Sequence, residues 1–275
     1  MRRFASLAGL ALLFAASTAR GEVSEASGHS DEAFDFMNIL ADHKLHDLND
    51  ESWNAYGQFT YISNWKPSFS AKYGNLNGAD WSLHTQSERS FTGTFTAYLG
   101  AHLWPGGEAY YVPEIISMKP LSSLHGLGGA IQNAELQKNG SVTPQIYQSR
   151  AYIQQRINLG GTHLGKSSDP MQLAAPADSR RIVLRVGNFS IIDFFDKNAY
   201  SGDLRQQFMN MDFLTYAAYD FAADARGYSY GATADIVWDD WALRIGRMAP
   251  PVNPNQEAID FHITKFYGDQ AELEH

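Results

Sequence analysis

The sequence predicts an all-β fold: an antiparallel up-and-down transmembrane β-barrel, preceded by a signal peptide and a short N-terminal helix. Three observations predict it. From Trp53 onward, apolar and polar residues alternate with a period of two through one segment after another, as in strands with one greasy and one wet face. These segments run about 9–13 residues, near the length that crosses a bilayer at a tilt, whereas strands of globular proteins are mostly about 5–6. Aromatic residues make up 13% of the chain while mean hydropathy is only −0.33. That pairing is foreign to helical membrane proteins and natural where apolar and polar residues take turns.

The N-terminus carries its own pattern. "MRRFASLAGLALLFAASTARGE" places Arg2 and Arg3 before an apolar run from Phe4 to Ala16, followed by the small residues Ser17, Thr18 and Ala19. The run is too short to span a bilayer and has the order of a secretory signal peptide, expected over residues 1–19. Residues 20–52 are expected to form a polar leader and a short amphipathic periplasmic helix. Within them Phe34, Met37, Ala41, Leu45 and Leu48 fall at helical spacing behind Asp31, a suitable N-cap. Either an appendage or a plug fits that helix.

Residues 53–275 are expected to form a partial barrel. "WNAYGQFTYISNW" sets Ala55, Gly57, Phe59 and Tyr61 on one side. "SFTGTFTAYLGAHLWPGG" sets Phe91, Gly93, Phe95, Ala97, Leu99, Ala101 and Leu103 against Thr92, Thr94, Thr96, Tyr98, Gly100 and His102, and ends in a Pro-Gly turn. "GEAYYVPEII" opposes Ala109, Tyr111, Pro113 and Ile115 to Glu108, Tyr110 and Glu114. "IYQSRAYIQQRINLG" has a polar face of Gln148, Arg150, Tyr152, Gln154 and Arg156. Its other face is Tyr147, Ala151, Ile153, Ile157 and Leu159, interrupted by Ser149 and Gln155. "RIVLRVGNF" opposes Ile182, Leu184 and Val186 to Arg181 and Arg185. "FLTYAAYDFAAD" is a mixed segment, counted as a weaker strand. "GYSYGATADIVW" and "WALRIGRM" alternate again around a turn at Asp239 and Asp240, and a ninth strand begins at "DQAELEH".

A two-faced antiparallel sheet belongs either to a soluble sandwich or to an outer-membrane barrel. Strand length favours the barrel. So does the gathering of Trp104, Tyr111, Tyr228, Trp238 and Trp241 where apolar faces end, as in an interfacial girdle. Arg150, Arg156, Arg185 and Arg244 in mid-strand on wet faces suit a confined lumen. A formal charge of −9 and a pI near 5.4 argue against a nucleic-acid partner. The absence of cysteine excludes a disulfide framework or thiol chemistry.

The blocks "ERSFTGTFTAYLGAHLWPGGEAYYVPEII", "LSSLHGLGGAIQNAELQK", "GNFSIIDFFD", "DLRQQFMNMDFLTYAAYDFAADARGYSYGA" and "DDWALRIGR" resemble those of the carbohydrate-selective (OprB-type) porins of Gram-negative outer membranes. The resemblance runs from about Trp53 to the last residue. It implies a sixteen-stranded barrel in the outer membrane that passes monosaccharides such as glucose by diffusion, without cofactor or catalysis. About eight or nine strands are legible. Family members continue past "GDQAELEH", so the expectation is that this sequence is a fragment. Eight strands closed on themselves leave no room for a sugar.

Sugar selectivity calls for hydrogen-bond donors and acceptors with an aromatic surface between them. The candidate lumen residues are Arg150, Arg156, Arg185 and Arg244 as donors, Glu108 and Glu114 as acceptors, and Tyr110 and Tyr152 as stacking surfaces. For each, the competing reading is an electrostatic ladder that binds nothing. The long connection 117–144, with its "HGLGG", is either a loop folded into the lumen or an extracellular loop. In 187–208, Asp193, Asp196 and Arg205 either brace one another or line a constriction. "GLGG" lacks the Lys-Ser/Thr of a phosphate loop, and neither zinc spacing nor an EF-hand occurs. No cofactor or metal is therefore expected, and His102 is a lumen residue. Expected partners are small carbohydrates and outer-membrane lipid, with a homo-oligomer left open. The rival reading is a secreted carbohydrate-binding or hydrolytic β-protein. Glu108 and Glu114, six residues apart on one strand, are about 20 Å apart, against the roughly 5–9.5 Å of a glycosidase pair.

Overall fold

The computed structural model describes residues 36–72, 81–197, 200–214 and 221–275. The signal peptide, the leader and the helix-start residues Asp31 and Phe34 lie outside the described residues. Among the described residues helix α1 spans Phe36–Asp42 and ends before Leu45 and Leu48 of the helical pattern. Lys44 adopts φ 59°. This lets its N–H donate to Ala41 O, and that of Leu45 to Leu40 O, both at 2.8 Å, which closes the helix. Leu45 therefore lies beyond the helix and is 70% exposed, whereas Met37 is buried.

The strands are β1 (Trp53–Lys66), β2 (Glu88–Trp104), β3 (Gly107–Lys119), β4 (Gln145–Asn158), β5 (His163–Lys166), β6 (Ala175–Asp178), β7 (Arg180–Phe189), β8 (Ser229–Trp238), β9 (Trp241–Met248) and β10 (Gly268–Glu274). Eight of them form one sheet in the order β1-β2-β3-β4-β7-β8-β9-β10, with β1 and β10 as its edges, while β5 and β6 form a separate ribbon. Every pairing is antiparallel. The all-β, antiparallel meander matches the sequence pattern, and the segment at "DQAELEH" is a strand. The weaker strand expected at 213–224 is not one where it is described: Met211–Phe213 is a single 3-10 turn and 221–224 is irregular. Topology explains this, because β7 pairs directly and antiparallel with β8. A strand inserted between them would make them parallel.

One end of the sheet, the turn end, carries the tight turns at 104–107 and 239–240 and the β5–β6 insertion. The other, the loop end, carries the connections 67–87, 120–144, 190–228 and 249–267. In the β2–β3 turn Gly106 sits at φ 72°. A Cβ there would lie 2.3 Å from Arg156 O, so glycine allows both the turn and the close approach of β4.

The two faces of the sheet differ. Phe59, Tyr61, Phe95, Leu99, Tyr111, Ile115, Ile153, Leu184, Val186, Ile236, Leu243 and Ile245 share one face and are all at least 39% exposed. Of the main-sheet residues on this bare face, only Gly107 and Asn188 are buried. Its charged residues, Arg89, Lys119, Arg180, Arg247 and Asp269, each stand within two positions of a strand end. Nothing charged lies between.

The opposite, covered face is overlaid by the chain itself. Leu136, from the β3–β4 connection, packs on Ile116 and Met118. Leu173, Ile191 and Phe195, from the connections flanking β7, pack on Tyr110, Tyr152, Phe189 and Met248. The core thus lies between the strands and their own connections.

One register differs from simple alternation. Val112 pairs with Arg150 but Pro113 with Gln148, so Ser149 is an extra residue, a β-bulge. It reverses the phase of β4 below it. Gln148, expected on the polar face, is on the bare face, and Tyr147, expected on the apolar face, is on the covered one. Ser149 is buried and its Oγ donates to Val112 O at 2.8 Å.

Candidate functional site

The covered face gathers most of the charge of the strands. At the loop end, Glu114 of β3 accepts hydrogen bonds from Thr96 Oγ1 (2.6 Å), Lys138 Nζ (3.0 Å), Arg205 Nη2 (2.6 Å) and Tyr147. Glu135, at a 3-10 turn after β3, accepts from Thr94 Oγ1 (2.7 Å) and Arg205 Nε (2.8 Å) and lies 3.1 Å from Lys138. Arg205 also donates to Thr96 Oγ1 at 2.7 Å. Two carboxylates and two cations are thus buried together with no net charge. Burial alone would push the Glu135 carboxyl up. Lys138 and Arg205 outweigh it and hold the group below its ordinary range. The "NAELQK" stretch of the 117–144 connection therefore folds onto the sheet's covered face. Lys138 and Glu135 went unrecognised in the sequence because no periodicity marks a loop residue as inward.

In the middle of this face, Tyr110 and Tyr152 stack with ring centroids 5.1 Å apart and an interplanar angle of 29°. Phe189 and Phe194 pack edge-on against Tyr152. Both candidate stacking tyrosines are buried by this cluster, and they stack on each other. Arg150 forms a bidentate pair with Asp193, both bonds 2.7 Å. Asp193, Asp196 and Arg205 do not brace one another: the Asp196 N–H donates to Glu272 Oε2, and Arg205 belongs to the loop-end network.

At the turn end, Glu108 accepts from Arg156 Nη2 (2.5 Å), Tyr110 OH (2.6 Å) and Gln154 Nε2 (2.8 Å). Arg185 donates to Asp235 (2.8 Å) and to Gln154 Oε1 (2.8 Å). Arg244 reaches Glu272 and Glu274, both at 2.5 Å. The β5–β6 insertion crosses to β1 here. Glu51 accepts from Ser168 Oγ (2.6 Å), His46 Nε2 (2.9 Å) and the Ala174 N–H (2.8 Å), and Asn54 Nδ2 donates to Gln172 O (2.9 Å). Gly100 makes room for this strap, because a Cβ would stand 3.3 Å from Leu173 and 2.5 Å from Asn54 Oδ1. A cleft of about 240 Å³ opens beside it, lined by Asp50, Glu51, His102, Glu108, Arg156 and Asn158.

All eight candidates therefore lie on one face, as the alternation requires. Of these, Glu108 and Arg156 border an open cleft. Arg150, Arg185, Arg244 and Glu114 are tied into ion pairs, and the tyrosines into the apolar cluster. Among the described residues no group of three or more His, Asp or Glu is placed to hold a metal ion. Acid and base groups around the cleft supply hydrogen-bond donors and acceptors of both signs, the chemistry that receives a hydroxylated solute. Comparison with family models, with curated proteins and with solved structures gives no match to this chain.

Proposed function

We propose that this chain forms part of the wall of an outer-membrane porin of the carbohydrate-selective (OprB-like) kind. The bare face lies in lipid and the covered face along a path for small sugars. One observation carries the reading: the bare face is apolar, exposed and free of charge between its two ends. A soluble protein that left such an area open would associate through it. Hydrocarbon covers it at no cost, and the outward band of known membrane barrels has this composition, with charge tolerated only near its edges. From Phe91 to Leu103 the uncharged stretch of β2 is about 40 Å along the strand, enough to cross a bilayer core at a tilt.

Supporting this reading, the two tight turns share one end with the β5–β6 insertion, and the other end carries long connections alone, close to the arrangement in which turns face the periplasm. Exposed Trp104, Trp238 and Trp241 stand at the turn end, at headgroup depth. The sheet's two edges, β1 and β10, would be joined by further strands in a complete pore, since eight strands alone enclose no channel. Within it, the Glu108–Arg156 cleft offers a sugar its polar contacts, and weak binding suits passage.

The test is direct. The chain should require detergent for extraction, and the complete pore that it helps to wall should insert into planar bilayers as a channel and show glucose-dependent block of the current. Solubility without detergent, with no conductance at any voltage, would retire the reading.

A further inference from the structure

We propose that the turn end of the covered face holds a binding site for an oxyanion, the carboxylate or phosphate of a small solute, built by Lys166, Arg181 and Arg156. This deepens the porin reading and rests on it for the site's place in a pore, though not for binding itself.

The register assembles the site. On β7 the covered-face positions run Arg181, Val183, Arg185. Val183 stands opposite Arg156 of β4 and Asp235 of β8, and Asp235 stands opposite Arg244 of β9. Four guanidinium side chains thus ring two neighbouring positions. Three have carboxylate partners: Arg156 has Glu108 at 2.5 Å, Arg185 has Asp235 at 2.8 Å and Arg244 has Glu272 at 2.5 Å.

Arg181 has none among the described residues. Its Nη1 donates instead to the backbone oxygen of Asp178 at 2.8 Å, while the Asp178 carboxylate is taken by the Gly160 N–H and His163 Nδ1. Lys166, on β5 above this wall, reaches only the amide oxygen of Gln172 among the described residues, at 3.4 Å. Two half-buried cations are thus held by neutral oxygens in a neighbourhood already rich in arginine.

The local field has the matching sign. Burial, then the charges of Arg181, Arg156 and Arg185, push the Lys166 ammonium down to about 8, against the opposing charge of Glu108. Asp235 acts on Arg181 as Glu108 does on Lys166, but neither carboxylate pairs with these cations, and mutually repelling cations without an ion-pair partner do not stabilise a fold. They are what an arriving anion needs, and the arginine fork matches carboxylate and phosphate geometry. Arg156 also lines the cleft, whose other walls include Glu51, Glu108 and Asn158. Those groups suit hydroxyls, so the solute class that fits both parts is an acidic sugar, a uronate or a sugar phosphate.

The site is tested by calorimetric titration of the detergent-solubilised full chain with sodium glucuronate, inorganic phosphate and glucose at constant ionic strength. Glucuronate is expected to bind at least tenfold tighter than glucose at pH 7. Arg181→Gln and Lys166→Gln are each expected to weaken it at least fivefold, while Arg180→Gln, one residue away on the bare face, leaves it unchanged. Raising the pH to 9.5 should weaken glucuronate binding to the parent protein and leave Lys166→Gln unaffected. Lys166→Met, in the short β5–β6 ribbon, serves if Arg181→Gln does not fold.

Phosphate binding as tightly as glucuronate, and lost with Arg181, upholds the oxyanion site and shows that the sugar ring adds nothing. Equal affinity for glucuronate and glucose, or variants without effect, overturns it. Conductance with glucose block but no glucuronate preference would leave the porin reading standing and remove this site. Arg181-dependent binding in a protein that never conducts would do the reverse.

Discussion

Arg205 offers the sharpest test of how the covered face is held together. Its side chain is 9% exposed and ties Glu114 and Glu135 at 2.6 and 2.8 Å, with a further bond to Thr96. Arg205→Met removes one of two cations from a buried group of four charges and leaves two carboxylates facing Lys138 alone. Removing one partner of a buried pair costs about 3–5 kcal/mol, and that range is expected here.

The compensating variant is Glu135→Gln. Combined with Arg205→Met it leaves Glu114 and Lys138, a neutral pair 3.0 Å apart. The double variant should therefore recover at least about 1.5 kcal/mol relative to the sum of the singles. Urea unfolding in micelles, followed by tryptophan fluorescence, measures both. The pH dependence follows from the same network. The folded pKa of Glu135 lies below 4.5, so its contribution is complete above that value and is lost as pH falls through the folded pKa. A loss under about 1 kcal/mol for Arg205→Met, or strict additivity of the two changes, would refute the account.

Further predictions follow from the other face and from the strand geometry. Phe95→Arg, in the middle of the bare face, should cost about 2–4 kcal/mol in lipid vesicles if that face meets hydrocarbon; little cost in vesicles would count against it. Deleting Ser149 should leave Gln148 opposite Pro113 and Tyr147 on Glu114, because the pairings on either side of the bulge then follow one another, so it should lower the urea midpoint about as little as Ser149→Ala, which keeps the bulge and loses one hydrogen bond worth about 1 kcal/mol; a far larger loss would contradict this register. Gly187→Ala should cost about 3 kcal/mol, because φ is 144° and a Cβ would lie 2.4 Å from Ala151 O; a midpoint unchanged in urea would contradict this. Burial raises the Asp224 carboxyl above 3.8, with Glu257 adding to it and the N–H groups of Tyr228 and Arg226 opposing. Stability should therefore fall as pH rises from 3.8 through the raised value, and Asp224→Asn should flatten that slope.

The alternation in residues 53–275 was sufficient to read all eight main-sheet strands and to place most of their side chains on the correct face. This works because a strand's facing is set residue by residue, and a long one-sided apolar run has few other solutions. Where a single residue breaks the period, as Ser149 does, local pattern misleads, because only the partner strand shows that Val112 and Pro113 skip it. The segment at 213–224 misled for a related reason: its composition permits a strand, and only the direct β7–β8 pairing leaves no place for one.

By itself, then, the sequence determined that the chain is an antiparallel, two-faced sheet with its charge on one side and its oil on the other. Tertiary structure decided what the charges do. Lys138, Glu135 and Arg205 come from connections, where no period links sequence position to direction, and they meet Glu114 only because the connections fold onto the sheet. The same folding stacks Tyr110 on Tyr152 and gives Arg150 to Asp193, while leaving Arg181 and Lys166 without a carboxylate partner among the described residues. Ion pairing depends on distances of about 3–4 Å between residues far apart in sequence, and those distances exist only once the chain has closed over its own wall.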